Sequence, residues 1–132
     1  MASKTLNLQL SCLQAISGII DKALDLEHSL QDILRILAET LSMKRATITL
    51  VERTTGKLVI SASQGLTPEE KRRGGYGLNE GVTGLIFQTA KPYVVPDIRN
   101  EPLFLDKTQS RKIERDRISF IGVPIILHGQ PL

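Results

Sequence analysis

The stretch ISFIGVPIILHGQPL, Ile118–Leu132, decides how the rest of the chain is read. Apolar residues fill nearly every position from Ile118 to Leu127, the pattern of a strand buried on both faces at a sheet centre. His128-Gly129-Gln130 has the composition of a hairpin turn. A hairpin needs a returning strand, and only Pro131 and Leu132 remain to supply it. The sequence thus predicts a sheet whose next strand has barely begun.

Working outward, the preceding elements mix helices with short strands. Leu6, Leu10, Leu13, Ser17, Ile20 and Leu24 recur at spacings of four and three, a heptad-like seam on a helix from about Thr5 to Leu24. Residues 1–24 are read as an amphipathic helix and a candidate dimerisation element, whose other reading is packing on its own domain. Asp25 caps a second helix carrying Leu26, Leu30, Ile33, Leu34, Leu37 and Leu41. Ala46–Ser63 reads as an antiparallel hairpin with Gly56 in the turn. Thr67, Pro68 and Glu70 spell a capping box for one or two helical turns. GGYGLNEG leads into a helix with Val82, Leu85, Ile86 and Thr89 on one face, ended by Pro92. PYVVPDI is a short strand closed by Pro96, Arg99–Lys107 is loop, and TQSRKIERD is a polar helix with Ile113 as its anchor. Strands separated by helices on a mostly antiparallel sheet give an α+β class.

Composition narrows the function. The chain has 132 residues, 41% hydrophobic and 23% charged, ordinary for one globular domain. No run of about 18 apolar residues predicts a membrane span, and the N-terminus lacks the pattern of a signal peptide. A single cysteine, Cys12, allows no internal disulfide and suits a cytoplasmic setting. A net charge of +3 is a mild excess. With no aromatic residues interleaved among the basic ones, direct nucleic-acid contact is not expected.

Three blocks in order, RATITLVERTTGKLVISASQGL, LNEGVTGLIFQTAKPYVVPDI and ISFIGVPIIL, resemble the GAF domain, over about Leu26–Leu132. More narrowly, RISFIGVPIILHGQPL following LDKTQSRKIERD resembles the amino-terminal domain of Nif-specific regulatory proteins, cytoplasmic activators of nitrogen-fixation genes. The resemblance implies a GAF-like (PAS-like) sheet ordered second, first, fifth, fourth, third strand. Residues 25–132 would then be that domain, incomplete before its last central strand and C-terminal helix. It also implies a non-catalytic regulatory module attached to an ATPase domain and a DNA-binding domain. A homodimer and an inhibitory or signalling protein are the partners expected, with no membrane.

Each chemical reading has a plain structural rival. Fold relatives that reduce methionine sulfoxide use several cysteines, whereas Cys12 alone reads as a small buried residue. The two histidines, His28 and His128, have no metal-ligand spacing, so neither a metal nor a resident cofactor is expected. The glycines of GGYGLNEGVTG serve either backbone geometry or an anion at the helix start, through Gly81 and Gly84. Asp97 either caps the next turn or lines a pocket mouth. Arg99 is either a solvated charge or the fork for a ligand carboxylate. The basic residues Lys107, Arg111, Lys112, Arg115 and Arg117, like Lys71, Arg72 and Arg73, make either a solvated helix face or a docking patch. If a pocket exists, its expected walls are Leu85, Val95, Phe120 and Gly122, with Asp97 and Arg99 at the mouth. The resemblance makes 2-oxoglutarate the first candidate ligand.

Overall fold

The computed structural model describes residues 2–21, 25–103 and 118–132. They fall into two compact units. Of the described residues, one holds those up to Ile48 together with Ser61–Leu66, and the other holds Thr49–Ile60 and those from Thr67 on.

In the first unit, α1 (Ala2–Asp21) begins before the expected Thr5, and Leu24 lies outside the described residues. Its leucine seam is not core. Leu6, Leu10, Leu13 and Ile20 are exposed by 54%, 50%, 61% and 60%. The partly covered line is Cys12, Ile16 and Ile19, again at spacings of four and three, and α2 is the neighbour that α1 packs on. Helix α2 (Leu26–Thr40) starts as its sequence dictates: Asp25 accepts from the Glu27 N–H at 3.0 Å. Leu34 and Ala38 are buried with Ala62. Leu26 and Leu41 are exposed, against expectation, because they occupy the first helical position and the C-cap, outside the buried stripe. The Gln31 amide accepts from the Ser63 N–H at 3.2 Å and donates to the Ser63 carbonyl, so one side chain satisfies both backbone groups of that residue.

Strands β1 (Ala46–Val51) and β2 (Leu58–Gln64) form the expected hairpin, with Gly56 in its turn at φ 69°. In the second unit, α3 (Pro68–Arg73) carries the capping box in full. The Glu70 N–H donates to Thr67 Oγ1 at 3.1 Å, and the Thr67 N–H donates to Glu70 Oε1 at 2.9 Å. Helix α4 (Gly81–Thr89) buries Val82, Gly84 and Ile86 rather than the expected Leu85 and Thr89. The reason is Gly84. A Cβ there would lie 2.9 Å from the Asn79 carbonyl carbon, so the helix side at Gly84 presses on the chain that leads into it. Ala90, left-handed at φ 52°, ends the helix before Pro92 does.

Val82, Ile86, Val95 and Ile98 form the core of this unit, with Tyr93, Ile118 and Phe120 packed against it. β3 (Tyr93–Val95) pairs antiparallel with β4 (Phe120–Gly122), Val94 opposite Ile121. The expected strand Ile118–Leu127 is interrupted. β4 ends at Gly122 and β5 (Ile126–Leu127) resumes beyond Pro124, which has no N–H to give a ladder. His128 and Gly129, both at positive φ (51° and 77°), make the two-residue turn into β6 (Gln130–Pro131), with Leu127 opposite Gln130.

The last residue bonds on both sides. The Leu132 N–H donates to the Ile125 carbonyl at 2.8 Å, and the Leu132 carbonyl accepts from the Val51 N–H at 2.9 Å. One residue thus bonds to the residue before β5 and to the last residue of β1 at once, while the ladders themselves stay in three pairs, β1 with β2, β3 with β4 and β5 with β6. Among the described residues, no ladder joins β1 to β4. This corrects the reading of a strand buried on both faces. Phe120, Gly122 and Pro124 are half-buried, but Ile121 and Val123 are 60% and 65% exposed, and Ile125 and Leu127 are exposed too. The alternation of a sheet with one face covered runs from Phe120 to Ile125, beyond which Ile126 and Leu127 are exposed in succession.

Candidate functional site

Where β3 ends, the chain makes a tight excursion that gathers charged groups. Val95 is buried and anchors the segment in the core. Pro96 stops the strand. Asp97 then caps a 3₁₀ turn, Ile98–Asn100, accepting from the Arg99 N–H at 3.1 Å. Arg99 folds back on the same carboxylate. Its Nε donates to Oδ1 at 3.0 Å and to Oδ2 at 3.1 Å, and its Nη2 donates to Oδ2 at 2.6 Å. The Asp97 side chain is only 11% exposed and that of Arg99 43%. Hydrogen bonding to Asp97, then its charge, push the guanidinium above its ordinary value.

Glu101 is held as tightly. Its Oε2 accepts from the Tyr93 hydroxyl at 3.0 Å and its Oε1 from the Leu103 N–H at 3.1 Å. The bond to Glu101, then burial, push the Tyr93 phenol up, because the proton it donates is harder to lose. The Leu103 carbonyl in turn accepts from the Val82 N–H at 3.1 Å, at the start of α4. The result is an open cleft of about 400 Å³ lined by Val95, Pro96, Asp97, Arg99, Asn100 and Glu101. Arg99 is the only cation among these lining residues.

Of the expected site residues, Val95, Asp97 and Arg99 meet at this cleft. Phe120 and Gly122 do not line it and instead pack toward α4. A Cβ on Gly122 would collide with Ile86 Cδ1, so that wall is filled by a side chain. Leu85 is half-buried on α4 and also lies off the cleft. Gly81 opens α4 at φ 67°, and Gly84 is fixed by the close approach to Asn79. Both glycines serve backbone geometry here, and the Val82 N–H between them is already bonded to Leu103. Asp97 caps the 3₁₀ turn and also lines the cleft. Sequence reasoning missed Glu101, although a carboxylate two residues beyond Arg99 and just before Pro102 was a legible signal.

Among the described residues, no cluster of His, Cys, Asp or Glu is arranged to hold a metal ion. None of the described helices is long and apolar enough to cross a membrane. Arg73 pairs with Glu69 at 3.4 Å along α3, the solvated-face reading. The basic cluster Lys107–Arg117 and the expected helix TQSRKIERD, with Ile113, lie outside the described residues.

Comparison with known proteins gives concordant likenesses. The sequence matches the GAF domain family over residues 25–132. It is 41% identical to a Nif-specific regulatory protein of Herbaspirillum seropedicae, over 92% of this chain and 22% of that protein. The chain therefore spans about a fifth of the length of that regulatory relative. Its fold is similar to the GAF domain of a phosphoenolpyruvate-protein phosphotransferase from Coxiella burnetii, with a TM-score of 0.80 and 24% identity, covering 96% of this chain and 73% of that one. It is also similar to a free methionine-R-sulfoxide reductase from Neisseria meningitidis in complex with its substrate, with a TM-score of 0.77 and 21% identity, covering 97% and 70%. At these identities the two structures speak for the fold alone.

Proposed function

The chain belongs to the GAF domain family, and from that membership we propose that it is the non-catalytic sensor module of a nitrogen-fixation activator. It binds a small anionic metabolite and so controls an attached ATPase domain. The observation that carries this reading is Arg99, a forked cation in an open cleft of about 400 Å³, next to the buried Val95. Ligand sites are concave and place a few polar groups against an apolar wall. A guanidinium suits a carboxylate because two N–H groups meet two oxygens. 2-Oxoglutarate, a dicarboxylate, is the candidate ligand. The cleft-lining residues offer no thiol, which favours binding over turnover there.

A second reading is favoured by a separate observation. Leu6, Leu10, Leu13 and Ile20 present an apolar stripe along α1 that the chain itself leaves half exposed or more. Such a stripe buries itself against another helix, so α1 acts as a homodimerisation element. An inhibitory or signalling protein is the alternative partner for that surface. The two roles coexist if ligand state changes how paired modules present their ATPase domains.

Native mass spectrometry of the protein tests both readings together. The sensor reading expects a mass increment matching a small metabolite, lost in Arg99→Ala. The dimer reading expects twice the chain mass. A bare monomer under conditions that preserve folding contradicts both.

A further inference from the structure

We propose that Asp97 is an internal competitor for Arg99, so that the cleft accepts a ligand carboxylate only by exchange for the Asp97 carboxylate. This rests on the sensor reading and deepens it. Three contacts of 2.6–3.1 Å already satisfy one fork of the guanidinium with both oxygens of Asp97. The geometry is that of carboxylate recognition, with the protein supplying the carboxylate. The competitor is poised by its other bond. The cap to the Arg99 N–H at 3.1 Å fixes the Asp97 carboxylate where the folded-back side chain meets it.

The other acid of the cleft cannot play this part. Both Glu101 oxygens are engaged, one by Tyr93 and one by the Leu103 N–H, and neither contact involves Arg99. Glu101 braces the segment, while Asp97 sets the binding threshold. A ligand with one planar carboxylate gains no more at the fork than Asp97 already gives. Selectivity therefore falls to ligands that add a second anchor against Val95, Asn100 or the apolar wall. Binding through exchange moves Arg99 from one partner to another, which makes the Asp97–Arg99 pair a two-position switch.

The test is calorimetric titration of 2-oxoglutarate into the full chain, Asp97→Asn and Arg99→Ala. Asparagine keeps the cap, since its side-chain oxygen accepts the same N–H, but removes the competing charge. The expected result is binding about five- to tenfold tighter in Asp97→Asn than in the parent, the scale of a well-formed ion pair, and none in Arg99→Ala. Binding seen only in Asp97→Asn also supports the switch, with a strong competitor. Arg99-dependent binding that is equal or weaker in Asp97→Asn overturns the switch and keeps the sensor site. Binding unaffected by Arg99→Ala places the ligand elsewhere and overturns the switch. Binding by neither the parent nor Asp97→Asn removes 2-oxoglutarate and the switch together.

Discussion

The N–H of Val51 donates to the carbonyl of Leu132 at 2.9 Å, across what would otherwise be an open edge of β1. Because Leu132 is bonded to Ile125 on its other side, the chain enters the gap between β1 and the segment that joins β4 to β5. Alternation within β4 turns the backbone groups of Ile121 away from β3, and Val123 lies beyond the end of β4. Ile118, which accepts from the Ile98 N–H at 2.8 Å, places Phe120 and Gly122 on the opposite, β3-facing edge.

Hydrogen exchange should read this alternation directly. The amides of Ile121 and Val123 are expected to exchange fast, like those of an edge strand. Those of Phe120 and Gly122, one residue away, should be slower. Uniform protection from Phe120 to Val123 in the monomer would mean that another strand fills the gap.

Two glycines distinguish close packing against backbone from close packing against a side chain. Gly84→Ala places a methyl 2.9 Å from the Asn79 carbonyl carbon and 3.1 Å from the Leu78 oxygen. Backbone gives little, so a loss of about 1–2 kcal/mol is expected even after the helix-propensity gain of alanine. Gly122→Ala meets Ile86 Cδ1 still more closely, but a side-chain tip can rotate. A loss of about 1 kcal/mol or less is expected there. Urea unfolding midpoints in the reverse order would contradict this packing.

Leu13, 61% exposed, separates the two readings of α1. Leu13→Glu is expected to lower the dimer fraction in analytical ultracentrifugation while the helical circular dichroism of the folded protein persists. A charge at so exposed a site costs a monomer little. Unfolding of the monomer would make Leu13 a core residue after all, and an unchanged dimer would place the interface elsewhere.

The start of α2 should respond to pH through Asp25 and His28, whose Oδ2 and Nδ1 are 2.6 Å apart. The bond to Asp25 raises the His28 pKa above 6.5, and the bond to His28 lowers that of Asp25 below 3.8. The histidine contribution is complete below 6.5 and disappears as pH rises through its raised value. The aspartate contribution is complete above 3.8 and disappears as pH falls through its lowered value. Both act between those ordinary values, so His28→Ala should destabilise more at pH 5 than at pH 8.5. An NMR titration should put the His28 midpoint above 6.5 in the parent and nearer to it in Asp25→Asn. A midpoint at or below 6.5 in the parent would remove the pair.

Local grammar was legible in the sequence. Asp25, the Thr67–Glu70 box, Gly56 and His128-Gly129 each do what their chemistry requires within a few residues, and such features need no knowledge of the whole fold. Burial was less legible, because it depends on partners far along the chain. The leucines of α1 and the isoleucines of Ile118–Leu127 were apolar enough for a core, yet no neighbour among the described residues covers them fully. Gly122 was read as a pocket wall, and Gly84 as either backbone geometry or an anion site, because an approaching Ile86 or Asn79 leaves no mark at the glycine itself. Asp97 and Arg99, expected at a pocket mouth, both line the cleft. Their mutual pairing was missed, since it depends on Asp97 capping the 3₁₀ turn so that Arg99 folds back on the same carboxylate.

The sensor claim rests on a ligand recognising Arg99, and a thermal melt tests it most directly. At about one hundred times its dissociation constant, a ligand stabilises the folded state by about 2.7 kcal/mol, a shift on the order of 5–15 °C for a domain of this size. The melting temperature of the parent should rise by that amount in saturating 2-oxoglutarate, and that of Arg99→Ala should not move. No shift in the parent would contradict 2-oxoglutarate as the ligand, and an equal shift in both proteins would contradict Arg99 as its anchor.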